Sequence, residues 1–145
     1  MITTELGIEV SVPSGWTRIP SDELPVAFAG LLEQGYRPTI GFAQEEFDPP
    51  TPEGLAAGIA ALHAEQARTY EGFERLAERA DEIDGKAAYV EHFRWNAEGV
   101  SITQLLALIV LGPGLVLKVD GACLTALADQ QLPVLDEIVR SISQR

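Results

Sequence analysis

The polar residues best placed to do chemistry are His92 and Arg94, two residues apart in the segment KAAYVEHFRW. Residues at this spacing lie on the same face of a strand. An imidazole beside a guanidinium would offer a contact for an anion or a peptide, with Thr103 or Ser101 across the predicted hairpin. The competing interpretation is a solvated strand end at which Arg94 pairs with an acidic neighbour.

Arg37 and Trp95 are two further candidates for contact with a partner or ligand. Arg37 lies in QGYRPTIGF, where the glycine, the tyrosine and the proline each have a structural explanation and the arginine has none. Trp95 and Trp16 could be stacking platforms, although a place in the core or at its rim is the more common fate of a tryptophan. The candidate binding residues are therefore Arg37, His92, Arg94 and Trp95.

Residue patterns typical of common catalytic and cofactor sites are missing. The two histidines, His63 and His92, have no second His or Cys at the spacing of zinc ligands, and HExxH is absent. The single cysteine, Cys123, lies in the apolar stretch GACLTALA, a setting typical of a packed side chain rather than a nucleophile. No GxSxG, Walker or GxGxxG motif occurs. The sequence thus predicts no catalytic residue, no metal site and no cofactor.

The charge balance restricts the classes of partner. The chain has 145 residues, and its 22 acidic side chains against 10 basic ones give a net charge of −12. We expect one domain over residues 1–145. The negative charge disfavours nucleic acid and anionic membranes as partners.

The apolar run at 105–112 is too short for membrane insertion. Since the start does not have the pattern of a signal peptide, we expect a cytoplasmic protein, unless a leader has been removed.

Helical spacing of leucine and phenylalanine predicts a first helix over about 22–34. Gly35 would be the left-handed residue after the helix end, and Tyr36 would make the hydrophobic contact of a Schellman motif. Pro38 would then open a strand. On this interpretation QGYRPTIGF is a corner between a helix and a strand.

Two more helices have clearer signals. Thr51 is a good N-cap and Pro52 suits the first position of a helix that ends near Gly72. The last helix begins either at Asp129 as its N-cap or at Pro133. Its apolar stripe comprises Leu135, Ile138, Val139 and Ile142.

The remaining segments favour strands. A short strand is predicted at 8–12, and a meander of three strands from Lys86, with loops at 96–99 and 112–114. A four-residue first loop, or a two-residue loop closed by Asn96 and Gly99, would place Trp95 opposite Val100 and His92 opposite Thr103. Residues 74–83 are ambiguous, because their Glu and Arg content favours a helix while strand alternation is also possible.

Several short motifs, in the order in which they occur, resemble a known family. They are Pro13-Gly15-Trp16, Arg37-Pro38 with Ile40, Asp84-Gly85, and the terminal Ile138-Val139-Arg140-Ser141. This order resembles that of the actinobacterial LpqN/LpqT-type proteins, which share the PsbP-like α/β fold. The resemblance covers nearly the whole chain and implies that residues 74–83 form a strand. The leader and lipid-bearing cysteine of the exported lipoproteins have no match in this sequence.

The wider fold group includes a photosystem subunit, a Ran-binding nuclear-transport protein and type VI effector-associated chaperones. The resemblance implies protein binding and offers no catalytic residue to carry over. We therefore predict a PsbP-like α/β sandwich, in which a mainly antiparallel sheet of about six strands packs against two to three helices.

The predicted function is a non-catalytic binding module, an adaptor or chaperone for an unidentified protein partner; self-association as a homodimer is compatible with it. The first alternative is a carrier for a small apolar or amphipathic ligand held between sheet and helices. The second is a hydrolase-type enzyme with a cleft that joins His92, Arg94 and a carboxylate.

Overall fold

The computed structural model describes residues 1–145 and contains ten strands and two α-helices. In chain order the elements are β1 (Ile2–Thr3), β2 (Ile8–Val10), β3 (Thr17–Arg18), β4 (Val26–Ala29), β5 (Thr39–Glu46), α1 (Pro52–Thr69), β6 (Glu74–Ile83), β7 (Lys86–Ala97), β8 (Val100–Gly112), β9 (Leu115–Leu124), a 3₁₀ turn (Thr125–Leu127), α2 (Ala128–Arg140) and β10 (Ser143–Gln144). Seven strands form a large antiparallel sheet in the order β3-β4-β5-β9-β8-β7-β6, and β1-β2-β10 form a small antiparallel sheet.

Helices lie on both faces of the large sheet. On its α2 face, α2 and the small sheet bury one apolar core, to which Leu135 and Ile138 contribute from the helix and Ile8 from the small sheet. On its α1 face, Leu55 and Ile59 of α1 pack on a smaller group of side chains. This three-layer arrangement confirms the predicted α/β sandwich. Neither helix combines the length and the apolarity needed to cross a membrane.

The long helix follows its predicted start signals, and the ambiguous segment is a strand. The Thr51 hydroxyl accepts a hydrogen bond from the Gly54 N–H at 3.3 Å, and Pro52 is the first helical residue, as predicted. Residues 74–83 form β6, as the family resemblance implied. Their helix propensity is outweighed by pairing along almost the whole length of β7.

The predicted helix over 22–34 is wrong. Residues 26–29 form β4, and all four side chains are buried between β3 and β5. A strand covered on both faces is apolar throughout, so its sequence also fits a helix. The chain then makes a hairpin in which Glu33 pairs with Tyr36. Gln34 and Gly35 have φ of 52° and 78°, as a two-residue turn of type I′ requires. QGYRPTIGF is therefore a hairpin tip, and Tyr36 does not close a helix end.

The register predicted for the first meander hairpin is also wrong, by two residues. The turn comprises Glu98 and Gly99, both with positive φ, so that Ala97 pairs with Val100. Trp95 consequently lies opposite Ile102, and His92 opposite Leu105. A shift of two residues keeps every side chain on its face and changes only its partner.

The last helix starts earlier than predicted. The 3₁₀ turn leads directly into α2 at Ala128, and Leu127 at the N-cap position makes no side-chain cap. Asp129 is therefore a first-turn residue and not the N-cap, while Pro133 lies inside the helix. Ile142 is buried just beyond the helix end.

Candidate functional site

The four candidate binding residues lie in three places. His92 and Arg94 share the α2 face of β7, whereas Trp95 points to the α1 face. Arg37 lies in the β4–β5 hairpin. The structure thus brings together His92 and Arg94 and separates them from the other two.

His92 lies beside an ionic link between the edge strand β6 and α2. Its Nε2 is buried and has no hydrogen-bond partner. Burial, reinforced by the positive charge of Arg79, lowers the pKa of His92 below its ordinary value, against the opposing effect of Asp136. Arg79 contacts Asp136 and Asp81 at 3.0 Å each, and Arg140 contacts the same two carboxylates. His92 is therefore held neutral next to a closed set of charges.

Arg94 is exposed, and its Nη2 lies 2.8 Å from Oε1 of Glu74 on β6. The predicted pairing of Arg94 with an acidic neighbour is confirmed. The pair is exposed to solvent and contributes little to folding stability. Cys123 is fully buried on the same sheet face, as expected of a packed thiol, and burial raises its pKa to about 11.

Arg37 differs from every other basic side chain of the protein. It is exposed and makes neither an ion pair nor a side-chain hydrogen bond. The other nine each have an acidic partner within 4.0 Å: Arg18, Arg68, Arg75, Arg79, Lys86, Arg94, Lys118, Arg140 and Arg145. In a chain with 22 acidic residues, a lone unpaired guanidinium is available to an external carboxylate.

Two large apolar side chains accompany Arg37. Leu31 and Leu32 are 68% and 65% exposed. The Glu33–Tyr36 pair places Leu32 and Arg37 next to each other on the two arms of the hairpin. Trp16 packs on the same hairpin, since a Cβ at Gly30 would lie 2.7 Å from its ring. We call the surface formed by Trp16, Leu31, Leu32 and Arg37 the tip surface.

A groove of about 260 Å³ separates the tip surface from the start of α2. Leu31, Trp16 and Val134 line it. Gln131 lies across the groove and donates from Nε2 to Glu33 at 3.1 Å, while its Oε1 is buried without a partner. The groove is therefore bridged by a hydrogen bond between α2 and the β4–β5 hairpin.

A second feature is a cleft on the α1 face, and Trp95 is hydrogen-bonded to one of the residues that line it. Its Nε1 donates to Gln104 Oε1 at 2.5 Å, and Gln104 Nε2 donates to Asp120 Oδ1 at 2.7 Å. The other oxygen of Asp120 has no protein partner. The cleft has a volume of about 300 Å³. Its lining includes Ile19, Ser21, Leu24, Ala27, Thr39, Gly41, Gln104, Asp120 and Ala122.

Asp120 is the titratable group of this cleft. Burial raises its pKa to about 6, and the nearby charge of Glu23 acts in the same direction. The hydrogen bond from Gln104 and the charge of Lys118 oppose the rise. Sequence reasoning missed Asp120 and Gln104, although each is a polar residue inside an otherwise apolar strand, a pattern that could have identified both.

A third feature is a hydrogen-bond network around Glu91 of β7, which is fully buried beneath α1. Glu91 accepts from Arg75 Nε at 2.8 Å and from Gln66. The Tyr89 hydroxyl lies 2.7 Å from His63 Nε2, 2.8 Å from Glu78 and 3.2 Å from Glu91. Burial and the neighbouring carboxylates raise the pKa of Tyr89.

The same network brings together three possible metal ligands that the sequence spacing did not reveal. Donor atoms of His63, Glu78 and Glu91 lie within 4.8 Å of one another. Tyr89 already bridges them, and the charge of Arg75 neutralises Glu91 and would repel a cation. The arrangement is therefore that of a closed structural network that ties α1 to the sheet.

Comparison with known proteins identifies the fold. No family model matches the sequence, and no curated protein matches it. Among solved structures, LpqN of Mycobacterium tuberculosis, involved in cell envelope biogenesis, superposes with a TM-score of 0.72 at 16% identity, over 94% of this chain and 82% of LpqN. Cyanobacterial PsbP from Synechocystis gives 0.70 at 18% identity, over 98% and 89% of the two chains.

The Saccharomyces cerevisiae Ran-binding protein Mog1p is also similar, with a TM-score of 0.64 at 14% identity, over 95% of this chain and 90% of Mog1p. At these identities the likeness shows the fold alone. The predicted PsbP-like, LpqN-like fold is thereby confirmed.

Proposed function

We propose that the protein is a non-catalytic adaptor that binds another protein through the tip surface. The single observation that carries the proposal is that Arg37, the one unpaired basic side chain, lies in the same hairpin tip as two leucines that are about two-thirds exposed. Arginine is enriched at interface hot spots, and a group of exposed apolar side chains marks a surface that a partner covers. The partner would present apolar side chains and a carboxylate.

The groove next to the tip surface supports the same proposal. Its lining by Trp16, Leu31 and Val134 would receive an apolar side chain of the partner. Among the fold relatives, Mog1p is described as Ran-binding, so at least one protein of this fold binds another protein. The cytoplasmic location and the single domain stay predictions.

A photo-crosslinking experiment tests the proposal. Benzoylphenylalanine replaces Leu32 in the full chain, in the native host, and crosslinked products are identified by mass spectrometry. We expect one dominant crosslink to a different protein. Adding Arg37→Gln should lower its yield at least about fivefold, because an arginine at an interface centre commonly contributes more than about 1 kcal/mol.

Two matched controls test whether crosslinking is specific to the tip surface or occurs at any exposed position. Val100, 47% exposed at the β7–β8 hairpin, receives the same crosslinker, and Arg68→Gln removes an exposed arginine of α1. We expect no dominant product from position 100 and no effect of Arg68→Gln. Equal products from positions 32 and 100, no product at all, or a crosslink only between two copies of this chain would contradict the proposal.

The predicted alternative, a small-ligand carrier, is favoured by a different feature, the cleft at Asp120. His92, Arg94 and Trp95 do not adjoin the tip surface, and we propose no contact with the protein partner for them.

A further inference from the structure

The cleft at Asp120 owes its shape to small residues in neighbouring strands. Ala27, Gly41 and Asp120 form one row across β4, β5 and β9. Because Gly41 has no side chain, there is space over the sheet beside Asp120. Leu24 occupies part of that space, since a Cβ at Gly41 would lie 2.2 Å from its Cδ1.

The carboxylate is fixed in orientation and left half-satisfied. Gln104 holds Oδ1 at 2.7 Å and is itself held by Trp95. Gln104 is 7% exposed, so this chain of donors belongs to the interior. Oδ2 has no partner within the protein. Asp120 lines the cleft, so this acceptor position is available to a donor bound there.

The charges that face the cleft are predominantly negative. Besides Asp120, Glu23 of the covering segment acts on it, and Lys118 is the one nearby cation. Lys118 is engaged with Glu45 at 3.6 Å. The walls contributed by Ile19, Pro20 and Leu24 are largely apolar.

We propose that this cleft binds a small organic cation, a primary ammonium group with a short apolar body. The ammonium would donate to Oδ2 of Asp120, and the body would lie against Ile19 and Leu24. Thr39 offers a hydroxyl oxygen for another of its N–H groups. A volume of about 300 Å³ admits a molecule of the size of benzylamine. This site is independent of the tip surface and does not rest on the proposed adaptor function.

An NMR titration of the full chain with benzylamine tests the assignment, and benzyl alcohol is the neutral isostere. At pH 7.5 we expect saturable amide shifts centred on Gly41, Asp120 and Ala122, with a dissociation constant on the order of 1 mM. Benzyl alcohol should bind at least about tenfold more weakly, because it cannot form the charged hydrogen bond.

Two variants distinguish the effect of the Asp120 carboxylate on benzylamine binding from the effect of the protein's overall charge. Asp120→Asn should raise the dissociation constant of benzylamine at least about tenfold. Asp129→Asn removes the same charge from an exposed position of α2 and should leave the constant unchanged. In the wild-type protein, lowering the pH to 5 should weaken binding about tenfold. Asp120 then becomes mostly protonated while benzylamine keeps its charge.

Three results would overturn the assignment. They are the absence of saturable shifts up to 20 mM benzylamine (about 20 times the expected constant), equal binding of amine and alcohol, and unchanged binding to Asp120→Asn. The comparison of amine with alcohol uses only the wild-type protein, so it decides the matter even if a variant fails to fold.

Discussion

The ionised carboxylate of Asp120 lowers the free energy of unfolding at neutral pH, and this cost can be measured. Its carboxyl titrates near pH 4 in an unfolded chain and at about 6 in the folded protein. Between these values the folded state binds more protons than the unfolded state, so this residue's contribution to stability falls as the pH rises from about 4 to about 6. The full difference corresponds to as much as about 3 kcal/mol.

Asp120→Asn should therefore stabilise the protein at neutral pH by about 1–3 kcal/mol and have little effect near pH 4. Urea unfolding of variant and wild type at pH 4 and pH 7.5 measures both differences, and the other carboxylates cancel in the comparison. A loss of stability at pH 7.5, or an equal gain at both values, would contradict this account of Asp120.

Replacing Arg75 and replacing Glu91, which form a buried ion pair, should lower the stability of the protein by different amounts. Arg75→Met leaves the fully buried Glu91 carboxylate without its counter-charge and should cost about 3 kcal/mol or more. Glu91→Gln leaves an arginine whose side chain is 26% exposed, and we expect a cost of about 1–2 kcal/mol.

Urea unfolding at pH 7.5 measures the costs at this pair, with Arg68→Met as the control. Arg68 is paired with Glu65 on the surface of α1, and its replacement should change stability by less than about 0.5 kcal/mol. A Glu91→Gln cost equal to or above that of Arg75→Met would show that the pair is not held together as described.

At the scale of elements, the β4–β5 hairpin depends on a turn whose two central residues have positive φ. Asn adopts this conformation more readily than Gln. Gln34→Asn should therefore stabilise the protein by a few tenths of a kcal/mol, roughly 0.5, and Gly35→Ala should destabilise it by about 1 kcal/mol.

Thermal unfolding of these two variants checks the turn, with Gly58→Ala as a control inside α1, where an added Cβ meets nothing within 4 Å. The control should be neutral or stabilising. If Gly35→Ala matched Gly58→Ala, the hairpin turn would not require the left-handed conformation.

Sequence signals predicted those elements whose determinants are local. Thr51 and Pro52 mark the start of α1 by capping and ring geometry, which need no knowledge of the rest of the chain. The segment 26–29 was mistaken for part of a helix because its strand character comes from β3 and β5 on either side. The β7–β8 register was missed because the choice between a turn at 97–98 and one at 98–99 rests on backbone conformation at Glu98 and Gly99.

The candidate site was predicted only in part for the same reason. Arg37 was singled out because no local structural role explained it, yet the exposure of Leu31 and Leu32 follows from the hairpin and not from their spacing. The setting of Asp120 depends on its pairing with Gly41, a residue nearly 80 positions earlier in the chain. Such a neighbour is visible only once the strands are paired.

At the scale of the whole molecule, self-repulsion from the net charge of −12 opposes folding. The surface ion pairs would make the protein less stable in salt, but each is worth little, so we expect screening of the net charge to dominate. Raising NaCl from about 20 mM to about 500 mM shortens the Debye length from roughly 20 Å to below 5 Å. We expect the free energy of unfolding to rise by about 1 kcal/mol.

A charge variant provides the control for this salt effect. Glu46 and Glu71 are exposed and have no ion-pair partner. Replacing both with lysine changes the net charge from −12 to −8, since each replacement adds two charges. The variant should be more stable than wild type at low salt and gain less from NaCl. A wild-type stability that falls with salt would contradict the dominance of net repulsion.

The small sheet has a consequence for the order in which the protein can assemble. β2 pairs with β10 at the other end of the chain, and the Ser11 N–H donates to Ser141 Oγ across 130 residues. The hairpins β6 to β9 join strands that are consecutive in the sequence, so they can form early, whereas the ends must meet late. During synthesis from the N-terminus the apolar α2 face stays uncovered until Leu135 and Ile138 emerge. The growing chain is therefore most vulnerable to aggregation just before α2 is synthesised.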